Sequence, residues 1–408
     1  MNCGGQEVVP FLDLGDQPNG NAFPLESEVH DEPQYALVMG VCRTCWQVQI
    51  MEFPDPETLF DDHPYVTGLN APVVQHFAGL ARGIARRFDL GRGDLVVDIG
   101  CNDGTLLSQF DALGVSGVGV EPGGRVNRLA RTAGHVAFRA YWGQETGAAL
   151  GALGLRPKII TATAVFYHVP DLHDFIRGLL EVMTEETVFV VQAVNMLDLL
   201  LERSFDHFYH EHSCIHSVMT LKALFERHGL ILFDVETSPI HGGSIVAYVS
   251  RADAGREVAP TVAAQIERER VHGLDKLDTY HRFGEEVTAN AAAMRTLLAD
   301  VRQRGETVLG LGAPVKGSTL LNFSKIGPDL LPMITEVNPY KIGRLSPGTH
   351  IPIVGEDEIE EEPDYYLVLA WNYLDHFIER KRAFLEAGGK LIVPVPSPRV
   401  ISAEDIGG

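Results

Sequence analysis

The chain has 408 residues, with 55 acidic against 33 basic side chains and a formal net charge of −22. That length predicts two or three domains, and that acidity excludes a binder of the nucleic-acid backbone, which needs a basic stripe. The most apolar run, residues 188–201, is broken by Gln192, Asn195 and Asp198, so no membrane span of ~20 apolar residues is expected.

No basic stretch followed by an apolar one opens the sequence, so no secretory signal is read there. Five cysteines, Cys3, Cys42, Cys45, Cys101 and Cys214, make an odd and sparse set for a disulfide framework, and a reducing, cytoplasmic location is expected. Residues 1–62 are turn-rich, with short apolar runs such as "YALVMGVC". They predict a small β-rich module that buries little core alone and gains from a metal staple. "MNCGG" and "CRTCWQ" place Cys3, Cys42 and Cys45 as candidate ligands of a structural Zn²⁺, with His30, the N-terminal amine or water as a fourth ligand. A module without zinc, or a protein that starts further upstream, stays open.

From Val73, "VVQHFAGLARGIARRF" spaces apolar residues three and four apart and predicts an amphipathic helix. "LVVDI", "SGVGVEP", "KIITATAV" and "TVFVVQAV" follow as buried strands separated by helical stretches, the pattern of a doubly wound parallel sheet over 63–252. Charged helical sequence over 253–300 connects it to a second α/β unit over 301–408. That unit opens with "ETVLGLGAPVKGSTLLNF" and continues through the strands "MITEVNP", "DYYLVLAW" and "GGKLIVPVP". The expected fold class is α/β: two Rossmann-like domains behind a small β-rich module.

"VVDIGCNDGTLL" puts Asp98 at a strand end, Gly100 and Gly104 in and near the turn, and Glu121 at the end of the next strand. This is the layout of a nucleoside site at the carboxyl edge of parallel strands, where an acid accepts ribose hydroxyls. The spacing D-x-G-x-x-x-G lacks the third glycine that cradles a pyrophosphate. It therefore suits S-adenosylmethionine (SAM), which has no phosphate, better than NAD. "FDHFYHEHSCIHS" packs His207, His210, His212 and His216 beside Tyr209 and Glu211. Three readings compete for it: a metal site, a surface cluster of neutral histidines, and general acid–base catalysis near neutral pH. His168 follows the third strand on the same carboxyl edge, as a site residue or as packed core.

Together, "CRTCWQVQ", "VVDIGCNDGTLL", "HVPDLHDF", "SFDHFYHEH", "HGGS", "LGAPVKGSTLLNF", "GRLSPGTHIPI" and "LAWNY" resemble the SAM-dependent C-methyltransferases of nucleotide-linked keto-deoxysugars. The likeness spans nearly the whole sequence. It implies an N-terminal zinc module, a SAM domain holding the cofactor with Asp98, Gly100, Asn102, Gly104 and Glu121, and a C-terminal Rossmann-like domain. It further implies a reaction centre of Tyr65, His168, Tyr209, Glu211 and His212, with His212 oriented by Glu211 as the base that removes the proton beside the sugar ketone. Lys316, Ser318, Asn322, Arg344, His350, Trp371 and Asn372 would hold the sugar nucleotide. The implied partner is that small molecule, with no nucleic acid and no membrane, bound by a monomer or homodimer. Ala164, Gln192, Asn195, Val246 and the run 213–216 depart from the family pattern. They keep open a second reading, O- or N-methylation or a changed acceptor on the same fold; a non-catalytic binding module is the third.

Overall fold

The computed structural model describes residues 1–55, 59 and 65–406. In chain order the strands are β1 (Val8–Pro18), β2 (Gln34–Cys42), β3 (Val48–Ile50), β4 (Leu95–Ile99), β5 (Ser116–Val120), β6 (Val136–Phe138), β7 (Ile159–Thr163), β8 (Val188–Val194) and β9 (Cys214–Ile215). They continue with β10 (Leu230–Ser238), β11 (Ser244–Arg251), β12 (Val308–Leu311), β13 (Ile334–Glu336), β14 (Ile353–Gly355), β15 (Tyr365–Val368), β16 (Lys390–Val393) and β17 (Arg399–Ile401). They form three sheets, ordered β1-β2-β3-β9, β10-β11-β8-β7-β4-β5-β6 and β14-β13-β12-β15-β16-β17. The predicted boundary between residues 62 and 63 lies outside the described residues. Among the described residues, no helix is long and apolar enough to cross a membrane.

The middle sheet is parallel from β8 through β6, with the antiparallel hairpin β10–β11 added beside β8. β7 and β8 are buried at every position, as strands covered by helices on both faces must be. Asn70 caps the helix Ala71–Arg87, its Oδ1 accepting the Val73 N–H at 3.4 Å. The C-terminal sheet is parallel except for β17, which runs antiparallel to β16. Both open sheets carry their loops to the carboxyl edge, where a doubly wound fold binds ligands.

Two features set the geometry of the site. The N-terminal sheet is completed from the middle of the sequence: Val48 and Gln49 of β3 pair with Ile215 and Cys214 of β9. That pairing anchors the histidine-rich segment against the N-terminal module. The second feature is the long helix Leu277–Gln303, which does more than connect two units. Its Phe283, Val287, Met294 and Leu298 share one apolar cluster with Phe11 and Leu12 of β1 and with Val308 and Ile334 of the C-terminal sheet. At the crossing with β1 the helix carries Gly284, where a Cβ would run into the Phe11 carbonyl oxygen. Gly284→Ala must therefore push the helix off β1. The expected cost is about 1–3 kcal/mol of unfolding free energy, read by denaturant titration; an unchanged midpoint would contradict this packing.

Candidate active site

A cavity of about 980 Å³ lies at the facing edges of the middle and C-terminal sheets. Residues from all three regions of the protein line it, from Asn21 through Tyr65, Gly100, Glu121 and His212 to Lys316 and Tyr373.

One end is built from the glycine turn. Gly100 and Asn102 both hold positive φ, 70° and 51°, which lets the backbone double back from β4 towards the helix Thr105–Asp111. Glu121 follows β5, and its carboxylate is pinned by two backbone N–H donors, Asn102 at 2.9 Å and Gly123 at 2.7 Å. Gly100, Asn102, Glu121 and Pro122 face the cavity. Asp98 does not: it lies beneath them, 2% exposed, with Oδ1 accepting the Thr161 hydroxyl at 2.6 Å. Burial pushes the Asp98 carboxyl up to about 7, and Glu121 nearby adds to the effect. Gly104 is also outside the cavity, left-handed at the start of the helix and packed on His135.

The other end is built from the histidine segment. His212 is 2% exposed, and its Nδ1 lies 2.6 Å from the carbonyl oxygen of His207. A carbonyl only accepts, so Nδ1 carries the proton and Nε2 of the neutral ring carries the lone pair. Among the described residues Nε2 has no hydrogen-bond partner. Burial drives the His212 pKa well below the usual histidine range, helped by His168 and His207. His168 Nδ1 donates in the same manner to the Glu211 carbonyl at 2.7 Å. The rings of Tyr209 and Tyr167 pack on His212 with centroids 3.9 and 4.5 Å away. The expectation that Glu211 orients His212 is thus corrected: the orienting group is the His207 carbonyl. The Glu211 carboxylate instead accepts Asn21 Nδ2 at 2.5 Å.

The third wall comes from the C-terminal unit. Lys316 is buried, with Nζ 3.8 Å from the centroid of the Trp371 ring and 3.9 Å from Asp206 Oδ2. The Trp371 indole N–H donates to that same oxygen at 2.6 Å. Burial lowers the Lys316 pKa to about 8 against the pull of Asp206. Asn372 lines the cavity, whereas Trp371 stands behind Lys316. Gly242 (φ 85°) makes room for the indole, since a Cβ there would come 2.7 Å from its ring.

Four residues expected at the sugar nucleotide lie elsewhere. Ser318 Oγ donates to the Gly20 carbonyl, Asn322 Nδ2 to the carbonyls of Ser318 and Pro347, and Arg344 to the Phe23 carbonyl. His350 Nε2 sits 2.9 Å from Glu32 Oε2. Ser318, Arg344 and His350 tie the segment between β1 and β2 to the C-terminal unit, Asn322 bonds within that unit, and Arg344 faces a separate cavity. Of the other histidines, His210 is fixed to the Tyr35 carbonyl and His216 is buried against Phe166, whereas His207 and His241 line the cavity. The departures from the family pattern sort in the same way. Gln192 pairs with His76 at 2.6 Å, Asn195 donates to Asp198, and Val246 packs in an apolar cluster. Ala164 faces the cavity, at φ 58°.

Three family models match in succession: "Putative zinc binding domain" over residues 2–60, "Methyltransferase domain" over 74–234 and "C-methyltransferase C-terminal domain" over 239–396. C-methyltransferase NovU of Streptomyces niveus is 35% identical over 404 residues, covering 98% of this chain and 96% of that protein. The chain belongs to the C-methyltransferase family. A ubiquinone biosynthesis O-methyltransferase of Azorhizobium caulinodans is 28% identical over 124 residues, 30% of this chain and 47% of that protein. The solved magnesium protoporphyrin IX methyltransferase of Synechocystis PCC 6803, with bound SAH, is 13% identical, covers 44% of this chain and 83% of that one, and has a TM-score of 0.35.

This C-methyltransferase is a SAM-dependent enzyme, and its residues fit both groups that the family brings. The positive-φ turn at Gly100 and the pinned Glu121 carboxylate suit a nucleoside without phosphate. For the metal, the Sγ atoms of Cys3, Cys42 and Cys45 all lie within 4.8 Å of one another, with Cys3 and Cys42 3.5 Å apart. Tetrahedral zinc with Zn–S bonds of ~2.3 Å holds its sulfurs about 3.8 Å apart. Gly5 closes over the thiols, where a Cβ would come 3.0 Å from Cys3 Sγ. Burial pushes the Cys45 thiol up to about 12. At Cys42 burial pushes the same way, but the backbone N–H groups of Cys45 and Thr44 outweigh it and lower the pKa. Among the described residues no fourth His, Cys, Asp or Glu joins the three, and His30 is not in the group. Elemental analysis is expected to find about one zinc per protein molecule, and Cys45→Ser to lose it with a fall in melting temperature. A content well below one in the unaltered protein would contradict the assignment.

Proposed function

We propose that this enzyme methylates a nucleotide-linked 4-keto-deoxysugar at the carbon beside the ketone. The observation that carries this reading is His212: a buried neutral imidazole, its tautomer fixed by the His207 carbonyl, with an Nε2 that has no hydrogen-bond partner among the described residues, in the wall of a cavity that the glycine turn and Glu121 also line. A lone pair so placed is a general base held ready for a weakly acidic C–H. Removing that proton creates negative charge that moves onto the ketone oxygen. Tyr209, on the His212 ring, keeps its phenol protonated: burial and Glu211 raise its pKa well above the usual value. It is therefore a hydrogen-bond donor for the developing oxyanion.

The other residues position the ligands. Glu121 accepts hydroxyls of the SAM ribose, and the Gly100–Asn102 turn passes beneath it. Bound SAM supplies an electrophilic methyl group. Lys316, lying over the Trp371 face beside Asp206, supplies one positive charge to the cavity wall for substrate oxygens. Tyr373 accepts from Asn70 at 3.1 Å and holds the C-terminal unit to the start of the helix Ala71–Arg87. Gln192, Asn195 and Val246 are held in structural contacts away from the cavity, which supports the family's reaction over a change of chemistry.

Mass spectrometry after incubation with SAM and a nucleotide-linked 4-keto-deoxysugar is expected to find one added methyl on the sugar carbon. His212→Asn is expected to cut the rate ~10²- to 10⁴-fold. Methyl transfer to an oxygen or nitrogen, or none with any such sugar, would overturn the reading. The pH profile gives a second test. The base must be neutral, and burial depresses its pKa, so kcat/KM should hold as pH falls to about 6.5 and decline only below the ordinary histidine value. An acidic limb centred above that value would contradict a buried imidazole as the base.

A further inference from the structure

Asn21 reaches the cavity from outside both Rossmann-like units. It stands in the segment between β1 and β2, on a turn closed by the Ala22 N–H, which donates to the Asn19 carbonyl at 3.0 Å, and by its own N–H, which donates to Asn19 Oδ1 at 3.1 Å. The C-terminal unit clamps that turn. Gly20 lies against the helix Val315–Phe323, where a Cβ would come 2.9 Å from Val315 Cγ2, and its carbonyl accepts the Ser318 hydroxyl at 3.3 Å. Further along, Arg344 donates to the Phe23 carbonyl at 2.8 Å and the Leu345 N–H to the Pro24 carbonyl at 2.9 Å. So fixed, Asn21 is 8% exposed and lines the cavity, and its Nδ2 donates to Glu211 Oε1 at 2.5 Å.

Glu211 is itself buried, and a carboxylate taken out of water keeps its charge only where donors replace the water. Around it stand the phenols of Tyr209 and Tyr167, the Lys341 ammonium and the His210 imidazole, each of which feels its charge. Tyr209 in turn packs its ring on His212 at 3.9 Å. An anion in that neighbourhood favours the imidazolium that forms when His212 takes a proton.

We propose that Asn21 is a positioning residue of the reaction: its amide holds the Glu211 carboxylate ionised and in place, so that the segment between β1 and β2 completes the active site. The assignment rests on the reading above, in which His212 is the base. Glu211 stays a carboxylate throughout, and the proton taken from carbon goes to His212 Nε2. The competing role for Asn21 is to fasten its segment to the middle unit and nothing more.

Two variants of the full-length protein separate these roles through opposite responses to pH. In Asn21→Ala the carboxylate loses its donor and takes up a proton more readily. With SAM and a nucleotide-linked 4-keto-deoxysugar, kcat is expected to fall about tenfold at pH ~6.5, as loss of a hydrogen bond to a charged group does. It should recover as pH rises, with SAH affinity by calorimetry that of the unaltered protein. Asn21→Asp keeps the shape of the side chain. Two carboxyl groups this close share one proton, which stands in for the amide N–H. That variant should therefore work near the unaltered rate at pH ~6.5 and lose activity as pH rises. A fastening role would instead lower the rate by one factor at every pH. That result, or unaltered pH profiles in both variants, overturns the proposal; the Asn21→Asp profile decides it even if Asn21→Ala does not fold. Infrared titration of the resting proteins, with Glu211→Gln as the blank, needs no substrate. A protonated carboxyl band that the unaltered protein lacks is expected in Asn21→Ala at pH ~6.5, and its absence there also overturns the proposal. The band without methylation of any such sugar would remove the ketosugar reading and leave the hold of Asn21 on Glu211 standing.

Discussion

The indole N–H of Trp371, donated to the Asp206 carboxylate, is the contact on which the site's architecture depends. It joins the last unit of the protein to the segment that carries the catalytic histidine candidates, and both partners are buried. A buried carboxylate is costly unless its charge is met; here it accepts the indole N–H hydrogen bond and lies 3.9 Å from the Lys316 ammonium. The same indole then forms the surface on which Lys316 lies. Without Gly242 the ring would have no room, so the "HGGS" turn, the "AWNY" segment and the "SFDH" segment are three parts of one joint.

With that joint closed, a wall of polar groups is taken out of water together. Burial pushes His207, His212 and His241 towards the neutral form and Asp206 and Tyr209 towards the protonated one. Neutral imidazoles beside protonated phenols are a set of poised proton acceptors and donors with little net charge. They suit chemistry in which charge appears only as the C–H bond breaks. The backbone supplies the orientation: carbonyls of His207 and Glu211 hold the Nδ1 protons of His212 and His168, so both tautomers follow from the path of one loop. That loop is in turn held by β9, the short strand that completes the N-terminal sheet, which is how a zinc-clasped module far from the reaction supports it.

The parts of this arrangement legible in the sequence are those set by short-range chemistry. Buried strands announce themselves as apolar runs, and the glycine turn at Gly100 by the positive φ it needs, with Glu121 one strand later. Cys3, Cys42 and Cys45 are legible as one group because "MNCGG" and the C-x-x-C pair carry the ligand spacing of a structural zinc module. What stayed hidden depends on contacts between distant positions. Ser318, Asn322, Arg344 and His350 carry polar side chains in suggestive motifs, yet their partners are Gly20, Pro347, Phe23 and Glu32. Apart from Asn322 with Pro347, each pair joins the two ends of the sequence. For His212 the sequence offers a carboxylate next door as the orienting partner, whereas the loop's turn brings the His207 carbonyl to Nδ1. The hairpin β10–β11 carries no clear alternation in the sequence, because β11 is buried at almost every position.

The central claim is that His212 Nε2 removes the proton beside the ketone. Its most direct test is exchange of that hydrogen with deuterium oxide, followed by NMR on the nucleotide-linked 4-keto-deoxysugar with SAH in place of SAM, so that no methyl can be transferred. Exchange is expected with the unaltered enzyme and is expected to be lost in His212→Asn. Exchange that persists undiminished in that variant, or none in the unaltered enzyme, would contradict it.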